Sequence, residues 1–308
     1  MLPTRQGSFR LFRLFGIDVY LHWYWFLMAI YQISTHDNRY SSIAWNIAEY
    51  LALFAIVLTH EFGHALACRS VGGQANLIVL WPFGGVAYVS PPQRPGATLW
   101  SIAAGPLVNV LLMPVLIGLI YMGRSLGWPV TMPDAYSFLR MISLINLVLL
   151  VFNLLPIFPL DGGQILRSLL WFPFGRANSL MIAAVIGFIG MAGLLVYAVM
   201  SGSTWLIIIA LIMILPNCWR GFAQARELMR LAKLPRHDGF ACPSCQVAPV
   251  AGNFWVCGHC RTAFDTFATH AVCPQCGAQF NATACLECSA AHPLSEWVTP
   301  PSSVPPRL

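Results

Sequence analysis

Charge is what this chain lacks. Of its 308 residues, 17 are Lys or Arg and 11 are Asp or Glu, so 9% are charged against 57% hydrophobic. Soluble domains carry about 25% charged residues. An ordinary solvated surface is therefore excluded, and a lipid bilayer is the solvent that suits the surplus apolar surface. Long stretches hold no charge at all: between Arg94 and Arg124, between Arg140 and Asp161, and from Ala177 to Trp219. Cysteine is scarce before residue 240, where only Cys68 and Cys218 occur; both read as packed thiols. Cations are scarce in residues 240–292, where Arg261 stands alone, so that segment is a poor footprint for nucleic-acid phosphate despite a net charge of +6. The chain opens on Arg5, Arg10 and Arg13 before an apolar stretch, which reads as a retained first span rather than a cleaved signal peptide.

What is present is enough apolar sequence for about six spans of roughly 20 residues each. The spans are expected at Val19–Ser34, Ser42–Val71, Thr98–Met122, Arg140–Asp161 and on either side of Ser201–Thr204 within the last uncharged stretch. Gln74–Pro92 does not read as a span: β-branched residues, Gly84-Gly85 and several prolines suggest a short β-hairpin or re-entrant element. Six spans put both termini on one side. Only Arg39, Arg124 and Arg140 fall on the other, so the excess of cations puts the termini in the cytosol. The fold class is thus an all-α polytopic membrane protein with a short hairpin and a small C-terminal zinc-ribbon module. Its expected divisions are a membrane domain over 1–220, a basic juxtamembrane helix and linker over 221–239, the cysteine-rich module over 240–292, and a disordered Pro/Ser-rich tail over 293–308.

Two histidines four apart on a helix share a face, and His60-Glu61-Phe62-Gly63-His64 has that spacing. Both imidazoles can reach one zinc ion, with Glu61 placed as general base on a water whose pKa zinc lowers from ~15.7 to about 7. The flank Leu51–Leu58 is uninterrupted apolar sequence, and ionisable groups inside a membrane are functional candidates by default. A catalytic zinc usually takes three protein ligands and keeps one position open. The best third ligand is Asp161, which closes the fourth span beside Pro156, Pro159, Gly162 and Gly163. On this topology the His60 pair and Asp161 lie at similar depth near the cytosolic face.

These features resemble the site-2 protease family of intramembrane zinc metalloproteases. The resemblance rests on His60–His64, on Asn153–Gly163, on Ala104-Gly105-Pro106-Leu107-Val108-Asn109, and on Pro82-Phe83-Gly84-Gly85-Val86. Gly16–Trp23 is similar to the start of the six-span bacterial branch. The family implies hydrolysis of a peptide bond within or near a substrate's transmembrane helix. It implies zinc on His60, His64 and Asp161, Glu61 as base, and Asn109, Asn153, Gly84 and Gly85 as groups near the substrate or oxyanion. The hairpin edge could hold an unwound substrate segment by strand addition. Two rivals are a catalytically silent membrane scaffold that binds partners through its ribbons, and a zinc transporter. An intact Glu61 disfavours the first, and ligands gathered at one depth disfavour the second.

The remaining eight cysteines form four C-x-x-C pairs: Cys242/Cys245, Cys257/Cys260, Cys273/Cys276 and Cys285/Cys288. Each pair is a knuckle, and two knuckles complete a four-thiolate structural zinc site. Consecutive pairing is expected, joining Cys242/Cys245 to Cys257/Cys260 and Cys273/Cys276 to Cys285/Cys288; interleaved pairing stays open. The expected cofactors are therefore one catalytic and two structural zinc ions. The expected partners are a membrane-protein substrate with a transmembrane helix, the bilayer, and a protein regulator at the ribbons. The N-terminus, the active-site end and the ribbons are expected on the cytosolic side of the cell membrane.

Overall fold

The computed structural model describes residues 7–35, 39–81, 84–157, 160–208, 211, 214–288 and 290–298. The chain starts with two strands, β1 (Ser8–Leu14) and β2 (Ile17–His22), then a helix α1 (Tyr24–Thr35) and a long helix α2 (Ile43–Ser70). Next come β3 (Gln74–Trp81) and β4 (Gly84–Ser90), α3 (Pro95–Ser125), a short α4 (Trp128–Thr131), α5 (Pro133–Leu154), α6 (Asp161–Met200), α7 (Thr204–Ile208) and α8 (Leu215–Ala232). The cysteine-rich end adds β5 (Trp255–Val256), β6 (Ala263–Phe264), β7 (Thr283–Ala284), β8 (Ala291–His292) and α9 (Leu294–Trp297).

Local chemistry sets these boundaries. Gly72, at φ +83, takes the left-handed turn that releases α2 into β3. Pro95 and Pro133 open α3 and α5, where a missing N–H costs nothing. Pro156 follows the end of α5, and Gly175 (φ 74, ψ 174) breaks α6 into two helical halves just after Pro173.

Among the described residues, four helices are long and apolar enough to cross a membrane: α2, α3, α5 and α6. This is a membrane protein, but the expected six spans are not what the described residues contain. The stretch expected as the first span is a strand followed by the 12-residue α1. At 1.5 Å per residue α1 reaches about 18 Å, short of the roughly 30 Å hydrocarbon core. Part of the expected sixth span, residues 209–210 and 212–213, lies outside the described residues. The expected fourth span is shifted: α5 already begins at Pro133, and Asp161 does not close it but opens α6. The basic helix also starts earlier, at Leu215.

The hairpin β3–β4 belongs to a larger unit. A four-stranded sheet runs β1-β2-β3-β4, with β2 and β3 parallel and the outer pairs antiparallel. Ile17, Val19, Ile78 and Leu80 are fully buried where the sheet packs on the C-terminal half of α2, against Phe62, Ala65 and Cys68. β4 is an outer strand of this sheet and lies over the helix turn that carries Glu61.

The cysteine module is built on two thiolate clusters, and the consecutive pairing is corrected to a nested one. Cys242, Cys245, Cys285 and Cys288 gather at one point, and Cys257, Cys260, Cys273 and Cys276 at another. The second cluster is thus an insertion inside the first. The tail expected to be disordered from Pro293 is also corrected for Pro293–Val298. α9 delivers Trp297, fully buried, onto Phe267 at 4.9 Å between ring centroids, in a core with Cys242 and Cys285. Residues 299–308 lie outside the described residues. The module meets the membrane domain at Glu287. Its carbonyl accepts from Arg176, beside the Gly175 break, and its carboxylate pairs with Arg236 at 2.7 Å.

Candidate active site

α2 and α3 run antiparallel and touch along a stripe in which every member has a task. Gly63 lets the backbones meet: a Cβ there would stand 2.7 Å from Ala104 O. On α3, Ser101, Gly105 and Asn109 follow one another at four-residue intervals and so share a face. Opposite them stand His64 and His60. The ring Nδ1 of His64 donates to Ser101 O at 2.9 Å, and that of His60 donates to Asn109 Oδ1 at 2.6 Å. Gly105 sits between, where a side chain would strike both imidazoles.

Asp161 enters from the first turn of α6. Its position depends on Gly162, whose hydrogen faces the backbone of Leu154 and Leu155 so closely that no side chain fits. The result is a triangle of three atoms. His60 Nε2 lies 3.1 Å from His64 Nε2 and 3.0 Å from Asp161 Oδ2, and His64 Nε2 lies 3.2 Å from the same oxygen. His60 and His64 are both 5% exposed.

This donor set fits a metal. A backbone carbonyl only accepts hydrogen bonds, so in the neutral imidazole the Ser101 contact puts the His64 proton on Nδ1 and leaves Nε2 with a lone pair. The Asn109 contact does the same for His60. Two lone pairs and a carboxylate oxygen facing one another repel unless a cation lies among them. Zinc bonds of about 2.0–2.2 Å at tetrahedral angles need ligand atoms about 3.3–3.6 Å apart, close to the triangle observed.

Glu61 is 6% exposed and takes no part in the triangle. Its Oε2 accepts the backbone N–H of Ala87 in β4 at 2.7 Å, so that N–H is directed at the site and not at β3. A Cβ at Gly85 would stand 2.7 Å from Glu61 Oε1. Gly84 is in open space at φ +142, and Asn153 is half-buried in the last turn of α5. Pro82, Phe83, Phe158 and Pro159 of the sequence motifs lie outside the described residues.

Two residues that matter here escaped sequence reasoning. Ser101 is fully buried behind His64. Asn146, on α5 and also fully buried, accepts from Asn109 Nδ2 at 2.8 Å and donates to Asn109 O at 3.0 Å. Ser101 had a faint signal in its eight-residue spacing from Asn109, whereas Asn146 had only its polarity within an apolar helix.

The cysteine clusters have their own geometry. The Sγ–Sγ separations are 3.6 Å for Cys242–Cys288, 3.8 Å for Cys245–Cys285, 3.6 Å for Cys257–Cys276 and 3.5 Å for Cys260–Cys273. Four thiolates about 2.3 Å from one zinc stand about 3.8 Å apart, so both clusters fit zinc ribbons. Beside them, burial pushes the Asp265 carboxyl up. Hydrogen bonds from Gly252 N, His237 Nε2, Ala268 N and Phe267 N outweigh that and hold it below its ordinary value.

Fold and site together define a helical membrane protein with a cluster of two histidines and one carboxylate whose geometry fits a metal ion. The chain belongs to peptidase family M50: the family model matches residues 48–128 and 120–197. It is similar to the zinc metalloprotease MJ0392 of Methanocaldococcus jannaschii, with 35% identity over 206 residues, covering 66% of this chain and 58% of the relative. It is also similar to the stage IV sporulation protein FB of Bacillus subtilis, with 31% identity over 170 residues, covering 52% and 55%. The chain thus spans a little over half the length of each. A solved site-2 protease from Methanocaldococcus jannaschii aligns with 29% identity and a TM-score of 0.49, covering 80% of this chain and all of that one.

Proposed function

We propose that this chain is an intramembrane zinc endopeptidase that hydrolyses peptide bonds within or near the transmembrane segments of membrane-anchored proteins. The observation that carries the reading is the pairing of a three-acceptor triangle, His60, His64 and Asp161, with a separate buried carboxylate, Glu61, held on a strand edge. The zinc metalloprotease among the relatives supports the same chemistry.

Bound on the triangle, zinc would supply a Lewis acid for the scissile carbonyl and for the attacking water. The protein's part is proton transfer and positioning. Glu61 takes the proton of the attacking water and returns it to the leaving amide nitrogen. Its bond to Ala87 N–H fixes the carboxylate before the substrate arrives. The outer edge of β4 is suited to hold an unwound substrate segment by strand addition, with Gly84 and Gly85 leaving room for close approach. Asn153 remains a candidate for substrate contact. Asn109 has its oxygen on His60 and an N–H on Asn146, which favours a role in orienting His60 over one at the oxyanion. The two ribbons take one structural zinc each and offer a protein-binding surface. The excess of cations supports a cytosolic location for the ribbons and the active-site end.

The test is cleavage of a model transmembrane substrate by the purified protein in lipid. Wild type is expected to cleave. Glu61→Gln is expected to keep its zinc and lose activity by about 10²–10⁴-fold. Zinc binding with no cleavage of any transmembrane substrate would favour the silent scaffold instead.

A further inference from the structure

We infer that Asn146 is a positioning residue: it sets the direction of a hydrogen-bond chain that ends on His60, and so decides which imidazole nitrogen is free for metal. The inference rests on the metal centre proposed above.

The chain starts from a group that cannot reverse. The backbone carbonyl of Asn109 only accepts hydrogen bonds, so the Asn146 atom 3.0 Å from it is the amide nitrogen, Nδ2. That fixes the Asn146 amide and turns its Oδ1 toward Asn109. Asn146 Oδ1 accepts from Asn109 Nδ2 at 2.8 Å, which fixes the second amide in turn. Asn109 Oδ1 then faces His60 Nδ1 at 2.6 Å. An amide oxygen has no proton to give, so neutral His60 carries its proton on Nδ1 and presents the Nε2 lone pair to Asp161 and His64.

A half-turn of the Asn109 amide would invert this result. Its NH2 would face Nδ1, the proton would move to Nε2, and an N–H would point where the metal must sit. Oxygen and nitrogen of an amide are nearly equal in size, so packing alone does not choose between the two orientations. Asn146 makes the choice, because its own orientation is tied to the α3 backbone. His64 needs no such device, since its partner, Ser101 O, is itself acceptor-only. Asn109 and Asn146 are both 0% exposed, so no water competes for these bonds.

The experiment compares Asn146→Leu with Ile142→Ala in the full chain in lipid. Ile142 packs at the same α3–α5 seam against Leu116, and its aliphatic side chain can hydrogen-bond to neither amide, so it reports what loosened packing alone does. Two quantities are read on the substrate-free protein: the zinc affinity of the membrane-domain site with the ribbons saturated, and the His60 tautomer of the zinc-free form by imidazole nitrogen NMR. Asn146→Leu is expected to bind zinc about 10–100-fold more weakly and to populate both tautomers. Ile142→Ala is expected to lower the thermal midpoint while keeping wild-type affinity and a single tautomer. Should Asn146→Leu fail to fold, Asn146→Ala is read in the same way. Asn146→Asp is expected to restore the single tautomer, because an acid buried without a cationic partner stays neutral and again offers one donor and one acceptor. Unchanged affinity and tautomer in the Asn146 variant, or an equal loss in Ile142→Ala, overturns the inference. Neither readout needs proteolysis, so failure of the protease reading leaves this test standing, and failure here leaves His60, His64 and Asp161 as ligands.

Discussion

Gly105 of α3 lies against His60: a Cβ in place of its hydrogen would stand 2.8 Å from His60 Nε2, and nearer still to the ring of His64. Asn109 and Ser101 bond to Nδ1 of the two rings, so a shift away from the new methyl would break those bonds. Gly105→Ala is therefore expected to displace the ligand nitrogens and lower zinc affinity at this site at least tenfold. The helix itself gains, since Ala is favoured over Gly by about 1 kcal/mol within a helix. Helical content by circular dichroism is expected to stay at the wild-type level while zinc affinity falls. Unchanged affinity would mean that α3 stands farther from α2 than described.

The nested cysteine arrangement predicts which losses add. Cys242 and Cys288 serve one cluster, whereas Cys242 and Cys260 serve different ones. The double variant Cys242→Ser/Cys288→Ser is expected to lose one zinc per chain, no more than either single variant. Cys242→Ser/Cys260→Ser is expected to lose two. Consecutive pairing predicts a loss of one for that second double variant, so elemental analysis of the purified proteins separates the two arrangements.

Asp265 gives the module a defined response to acid. Its folded pKa lies below the ordinary value of 3.8, so ionised Asp265 stabilises the fold above that pH, and the contribution is lost as pH falls through the folded value. Asp265→Asn is expected to be less stable than wild type at neutral pH. The gap is expected to close from about pH 4 downward, as the wild-type carboxylate takes up its proton. Denaturant titrations of both proteins across that range check it. A gap that stays constant into acid would mean that the carboxylate charge contributes nothing.

How much of this was legible in the sequence depends on how far apart the cooperating residues lie. His60, Glu61 and His64 occupy one helical turn, so their spacing alone carries the geometry. Asp161 was legible because its prolines and glycines mark it, although it opens a helix instead of closing one. The roles of Ser101 and Asn146 were not legible beyond the faint spacing signal of Ser101, because they exist only once α3 packs on α2 and α5. Val19–His22 misled because a buried strand is as apolar as the start of a span, and no periodicity separates them over so few residues. The cysteine pairing was hidden because four knuckles of identical spacing carry no mark of which closes on which. Trp297 was hidden among prolines and serines that suggest disorder, yet its indole completes the aromatic core beside the outer thiolate cluster.

The central claim is that two helices deliver three acceptors to one cation, separate from the two thiolate clusters. Counting zinc per chain tests it most directly. The account predicts three in the wild type, two in His60→Ala, two in Asp161→Ala and three in Glu61→Gln. A wild-type chain that holds only two, with no change on replacing His60 or Asp161, would contradict it.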